Sequence, residues 1–153
     1  MTDLATARTL ATAEVTAIRA ELEIPVQTPA TQYADLLDAV STHLRAHPEL
    51  SIVHPASDGH LHIAPHHRDP RTDEQHLLAW ANTMPGHTIT ALRYQTNVAK
   101  GTNDDVKITL HGTIGGVDVE VWQAINASAA LDLEPGQERD LTIDDLRTLA
   151  ARG

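Results

Sequence analysis

The chain has 153 residues, of which 41% are hydrophobic, with no Cys, no Phe and a formal net charge of −10 at pH 7. This length fits one domain, which buries roughly 70% of its unfolded surface and needs no disulfide or metal to fold. The missing Cys excludes disulfides, thiolate nucleophiles and Cys-type zinc sites, so that only His and carboxylates remain as strong metal ligands.

Negative charge is concentrated in the C-terminal half, where the stretch 104–145 holds ten acidic residues against Lys107 and Arg139. Such a field repels phosphate backbones, so we expect no nucleic-acid partner. The N-terminus lacks the cationic start and apolar core of a secretory signal. No apolar run reaches the roughly 20 residues that a membrane span requires. The sequence therefore predicts a cytoplasmic protein without a membrane partner.

Two amphipathic helices are predicted before residue 49, and we expect them to form an antiparallel hairpin over residues 1–48. The first carries one apolar stripe at three- and four-residue steps, formed by Leu4, Ala7, Ala11, Val15, Ile18 and Leu22. The second begins with Thr28 as N-cap and Pro29 at its first position, and Pro48 ends it. Its predicted inner face holds Tyr33, Leu36, Leu37, Val40 and Leu44.

Residues 49–153 are predicted to form a sheet with two further helices. The segments "SIVHP" and "HLHIA" are typical of two short strands about a turn, and a helix follows over residues 73–84. Thr72 and Gln75 have the spacing of a capping box at its start. Trp80 lies on the apolar side of this helix, so we expect it in the core.

The clearest strand signals are "HTITALRYQT", "DVKITLHGTI" and "VDVEVWQAI". Gly115-Gly116 is a two-residue hairpin turn in which glycine permits positive φ. Ile114 should therefore pair with Val117, which sets the register of the last two strands.

The tail turns at Pro135-Gly136 and ends in a short helix with Thr142 as its N-cap. The resulting element order is ααββαβββα. It predicts a single α+β domain, in which an N-terminal helical hairpin precedes a largely antiparallel sheet of about five strands.

Histidine is concentrated between His54 and His76, a segment that holds six of the ten histidines of the chain. His60 and His62 are two residues apart on a strand and so point to one face. A five-residue loop over 55–59 places His54 opposite His60 on that same face. A tight turn at Asp58-Gly59 would instead pair His54 with Ile63. The longer loop is favoured because it brings the neighbouring apolar residues to one side.

The hairpin register gathers a polar outer face on the last two strands, made of Lys107, Thr109, His111, Thr113, Asp118, Glu120 and Trp122. A large aromatic side chain is unexpected there, because an exposed Trp loses the free energy of its burial. Either another element of the chain covers Trp122 or a partner does.

The function that these features favour is that of a small acidic binding or regulatory protein, non-catalytic and without a cofactor, which docks a protein partner. The predicted partner-binding residues are Trp122, Glu120, His111, Lys107 and Asp118. The sequence has no "GxSxG" and no phosphate-binding loop, which disfavours those two enzyme classes. Nine Arg against two Lys indicate a GC-rich bacterial genome, and we expect a phage or mobile element as the source.

The alternative hypothesis is a metal-binding protein or metal-assisted hydrolase. Three imidazoles with an open fourth position, from His54, His60 and His62, would be typical of a catalytic zinc site. His66, His67 or Asp69 would complete the shell, and zinc would lower the pKa of a bound water toward ~7. A further hypothesis is a homo-oligomer that assembles through the histidines in a pH-dependent way.

Overall fold

Helices alternate with short groups of strands along residues 27–95 and 105–152, which are the residues that the computed structural model describes. The helices are α1 Pro29–Ala46, α2 Asp73–Asn82, α3 Ser128–Leu131 and α4 Ile143–Ala151. The strands are β1 Val53–Pro55, β2 His60–Ile63, β3 Thr88–Arg93, β4 Asp105–Ile114, β5 Val117–Asn126 and β6 Glu138–Leu141. The predicted helix with the stripe from Leu4 to Leu22, and with it the predicted hairpin, lies outside the described residues.

One six-stranded sheet has the order β1-β2-β5-β4-β3-β6. Every neighbouring pair is antiparallel except β2 with β5, which run parallel. The structure confirms the α+β class and the single domain, but the sheet is mixed and has one strand more than predicted. The additional strand is β6, which pairs with β3. Its sequence ERDL places only Leu141 in the core, so it lacks the alternation that marks a half-buried strand.

The three longer helices pack on one face of this sheet, and their buried residues join those of the strands in one hydrophobic core. Leu36 and Val40 bring α1 into this core, whereas Leu37 is 40% exposed, contrary to the prediction. The inner side of α1 continues instead through His43, whose ring stacks on Trp80 at a centroid distance of 5.6 Å. Trp80 itself is fully buried, as predicted.

All three predicted N-caps are confirmed, at Thr28, Thr72 and Thr142. Gln75 completes the capping box of α2, as its spacing predicted, and Asp145 completes a second box on α4. In each box the Thr hydroxyl accepts from the N3 backbone N–H while the N3 side chain accepts from the cap backbone N–H.

The β4-β5 hairpin has the predicted register, with Ile114 opposite Val117 and His111 opposite Glu120. Gly115 and Gly116 have φ of 56° and 79°, the left-handed pair that a two-residue hairpin turn requires. Within the described part of the chain, no helix is both long enough and apolar enough to cross a membrane.

The capping box of α2 provides a test of how the helix is anchored. Thr72→Ala removes the acceptor for the Gln75 N–H and should lower the free energy of unfolding by about 1 kcal/mol, measured by urea denaturation. Thr72→Ser keeps the hydroxyl and should restore most of the loss. Equal losses in the two variants would show that the cap does not stabilise α2.

Candidate functional site

The strand side chains that point away from the helices form a surface that we call the open face. Strand pairing aligns them in two rows across the sheet. The first row runs in order through Asp140, Thr90, Thr109, Trp122, His62 and His54. The second row runs through Thr88, His111, Glu120 and His60. Lys107 and Asp118 belong to the same face, so it holds all five predicted partner-binding residues.

The rings beside Trp122 explain how an indole is accommodated on this polar surface. His62 stacks on the Trp122 ring with centroids 4.2 Å apart and planes 23° apart. The Lys107 ammonium lies 4.8 Å from the ring centroid, within the range of a cation–π contact. The neighbours of Trp122 on its own face therefore hold the indole in one orientation.

A chain of hydrogen bonds and imidazole–carboxylate contacts crosses four strands and connects His60, Glu120 and His111 of the second row to Thr90 of the first. Asp58 Oδ2 lies 2.9 Å from His60 Nδ1, and His60 Nε2 contacts Glu120 Oε2. The other carboxylate oxygen of Glu120 lies 3.3 Å from His111 Nδ1, and His111 Nε2 lies 2.9 Å from Thr90 Oγ1. Each acidic group thus faces an imidazole. His60, His111 and Glu120 each remain more than a third exposed.

The order Thr90–His111–Glu120 is that of a nucleophile, a base and an orienting carboxylate. Catalysis of acyl transfer also needs donors aimed at the developing oxyanion. Thr90 lies within β3, which pairs with β4 on one side and β6 on the other, so that the ladders engage its backbone groups. This position favours a cross-strand hydrogen bond over a nucleophile.

A shallow depression lies at the end of the second row. Its volume is 410 Å³, and the titratable residues lining it are Asp58, His60, His111, Asp118 and Glu120. Gly59, Gly86 and Gly112 also line it, which leaves the backbone accessible. The depression therefore brings carboxylates and imidazoles together in one concave part of the open face.

The predicted zinc ligands share one face, but with a different register. His54 lies opposite His62, not opposite His60, because Pro55 pairs with Leu61 and shortens the loop. The rings of His54 and His62 are 6.5 Å apart, and His62 Nε2 contacts Gln123 Oε1 at 3.1 Å. Among the described residues, no group of three or more His, Asp or Glu side chains is arranged to hold a metal. The zinc hypothesis stays a prediction without support from this geometry.

Two residues that sequence reasoning left aside contribute to this region. Gln123 is 9% exposed and bridges His62 to Asp73, with its Nε2 3.3 Å from Asp73 Oδ1. His76 is fully buried in α2. The helical spacing of His76 from Trp80 was a signal for its burial, whereas the position of Gln123 beyond the end of β2 had no signal in the sequence.

Comparison with known proteins identified no family: no family model, no curated protein and no solved structure matches this chain.

The exposure of Trp122 in solution can be measured against the buried Trp80 by acrylamide quenching of fluorescence. Trp122→Phe should remove most of the quenchable emission, because the remaining Trp80 is fully buried. Trp80→Phe should leave a quenchable spectrum. A quenching slope that Trp122→Phe does not change would show that the open face is covered in the intact protein.

Proposed function

We propose that this protein is a binding module. Its open face docks a protein partner that carries basic side chains. The observation that carries the proposal is Trp122, held between His62 and Lys107 on the side of the sheet opposite the helices. The five residues from which we predicted partner binding lie together on that face.

Trp122 is suited to anchor a partner because its orientation is set before binding. Aromatic side chains contribute much of the binding free energy at protein interfaces. A side chain already restricted by stacked neighbours loses less conformational entropy when a partner covers it. The stack on His62 therefore favours binding in addition to covering part of the indole.

The charges of the open face favour a cationic partner. Its strands present five carboxylates against the single ammonium of Lys107, namely those of Asp105, Asp118, Glu120, Glu138 and Asp140. Complementary charge steers association and selects among partners.

The same charges disfavour the other occupants of this face. Two copies of the chain placed face to face would bring like charges together. Residues 1–26 are also acidic, with Asp3, Glu14, Glu21 and Glu23 against Arg8 and Arg19. A separate basic protein segment is therefore the occupant that the electrostatics support.

The proposal is tested by selecting ligands from a randomised peptide library with the full-length protein. We expect selected peptides rich in Lys and Arg, with affinity that falls as salt concentration rises. Asp118→Lys should weaken binding of a selected peptide by about tenfold or more, because it reverses a charge on the face. Trp122→Ala should weaken it similarly, as measured by fluorescence polarisation.

The matched control is Asp38→Lys, which makes the same charge change on α1, on the opposite side of the sheet. It should leave affinity within about twofold, since its charge lies away from the peptide. Equal losses of affinity with Asp118→Lys and Asp38→Lys would show that only the overall charge of the protein matters. That result would overturn the assignment of the open face as the binding site. Selected peptides without basic residues would overturn the assignment of partner chemistry.

A further inference from the structure

His76 is a titratable side chain that the binding face does not use. It lies in the first half of α2, is 0% exposed, and neither of its ring nitrogens has a hydrogen-bond partner. Buried polar groups are nearly always hydrogen-bonded, so an unpaired imidazole at this depth requires an explanation. Asp69 Oδ2 lies 3.7 Å from its Nε2.

The segment 64–72 joins β2 to α2 and carries that carboxylate. Arg71 holds Asp69 with three hydrogen bonds, from its backbone N–H and from Nε and Nη2 of its guanidinium, at 2.8–3.1 Å. The remaining guanidinium nitrogen of Arg71 donates to Glu49 O at 2.7 Å, which ties the segment to the chain before β1. Asp69 is thus engaged by Arg71 and is not hydrogen-bonded to His76.

We infer that segment 64–72 is an acid-sensitive latch, which stays closed over the neutral imidazole of His76 and opens when that imidazole is protonated. The charged groups that face His76 are Asp69 and Arg71 from the segment and Asp73 from its own helix. Protonation would place a second cation beside Arg71, competing with it for the carboxylate of Asp69.

The direction of the pH effect follows from the free energy of charging a buried imidazole. Burial, and then the positive charge of Arg71, lower the pKa of His76 below its ordinary value of 6.5, against the opposing effect of Asp69 and Asp73. The open state, in which water reaches the ring, therefore binds the proton more readily than the closed state. Stability of the closed state is fully present above pH 6.5 and falls as the pH drops below it.

The ionisation of Asp69 does not change over the same pH range, so it does not offset the free energy of charging His76. Its hydrogen bonds to Arg71 hold the pKa of its carboxyl far below the ordinary value of 3.8. It stays ionised and paired with Arg71 while His76 takes up a proton. The structural response would then come from displacement of the segment that places Asp69 and Arg71 beside His76.

Opening of the latch would also change contacts at the edge of the open face. Asp73, at the start of α2, accepts from Gln123 Nε2, and the other end of that amide contacts His62. Since His62 stacks on Trp122, displacement of the α2 start would remove a contact that positions this stack. The latch is independent of any partner, however, and its test needs none.

The experiment is hydrogen–deuterium exchange of the full-length protein at about pH 7.5 and about pH 5.5, with rates corrected for the intrinsic effect of pH on exchange. Protection factors in segment 64–72 should fall by up to about tenfold per pH unit below the ordinary histidine pKa. In His76→Leu, which cannot titrate, these factors should become independent of pH over this range.

Three further variants keep the result specific. His76→Gln remains polar and also cannot titrate, so it should behave as His76→Leu does even if Leu alters packing. His66→Gln removes an exposed histidine from the same segment, whose Nδ1 accepts from the Arg68 backbone N–H at 3.2 Å, and it should keep the wild-type response. His43→Gln controls for the other histidine whose pKa burial lowers, and it should leave the acid response of segment 64–72 unchanged, because His43 contacts Trp80 and Thr83 near the end of α2. An acid response in segment 64–72 that both His76 variants retain, or a wild-type protein without one, would overturn the latch.

Discussion

The parallel pairing of β2 with β5 is the contact on which the open face depends. It sets His60 level with Glu120 and His62 level with Trp122, and Glu120 N donates to Gly59 O at 3.0 Å where the two strands meet. A slip of one residue would turn both imidazoles toward the core. Leu61 and Ile63, which are 0% and 1% exposed, oppose that slip. Burial of two aliphatic side chains therefore holds the polar network in register.

The open face is stable without a partner because its aromatic ring and its carboxylates contact side chains of complementary chemistry. The indole of Trp122 is flanked by an imidazole and an ammonium, and the carboxylate of Glu120 lies between two imidazoles. Cross-strand pairs of this kind each contribute a few tenths of a kcal/mol to about 1 kcal/mol. They limit the cost of leaving an aromatic residue and several charges at the surface, and they leave both within reach of a ligand.

The edges of the sheet explain why recognition would use its face. β1 ends in Pro55, which has no backbone N–H to offer an added strand, and β6 has the charged sequence ERDL. Short edge strands with Pro or charged residues disfavour pairing with another chain. A partner that adds a strand to this sheet would find few favourable backbone hydrogen bonds at its edges. The side chains of the two rows, in contrast, lie together on one surface.

The sequence by itself determined the elements whose signals are local. Thr72 and Gln75, Thr142, and Gly115-Gly116 act within a few residues, so the helix starts and the β4-β5 register could be derived from spacing alone. The alternation along those two strands then placed Lys107, His111, Asp118, Glu120 and Trp122 on one face.

Only the tertiary structure decided which distant segments meet. The pairing of β2 with β5, the addition of β6 to β3 and the bridge through Gln123 join residues that no periodicity relates. The burial of His76 beside an Asp69 already held by Arg71 is of the same kind. Local rules depend on backbone geometry over one turn or one hairpin. Contacts between separated segments depend instead on how the apolar faces of the whole chain are buried together, and a single short segment does not contain that information.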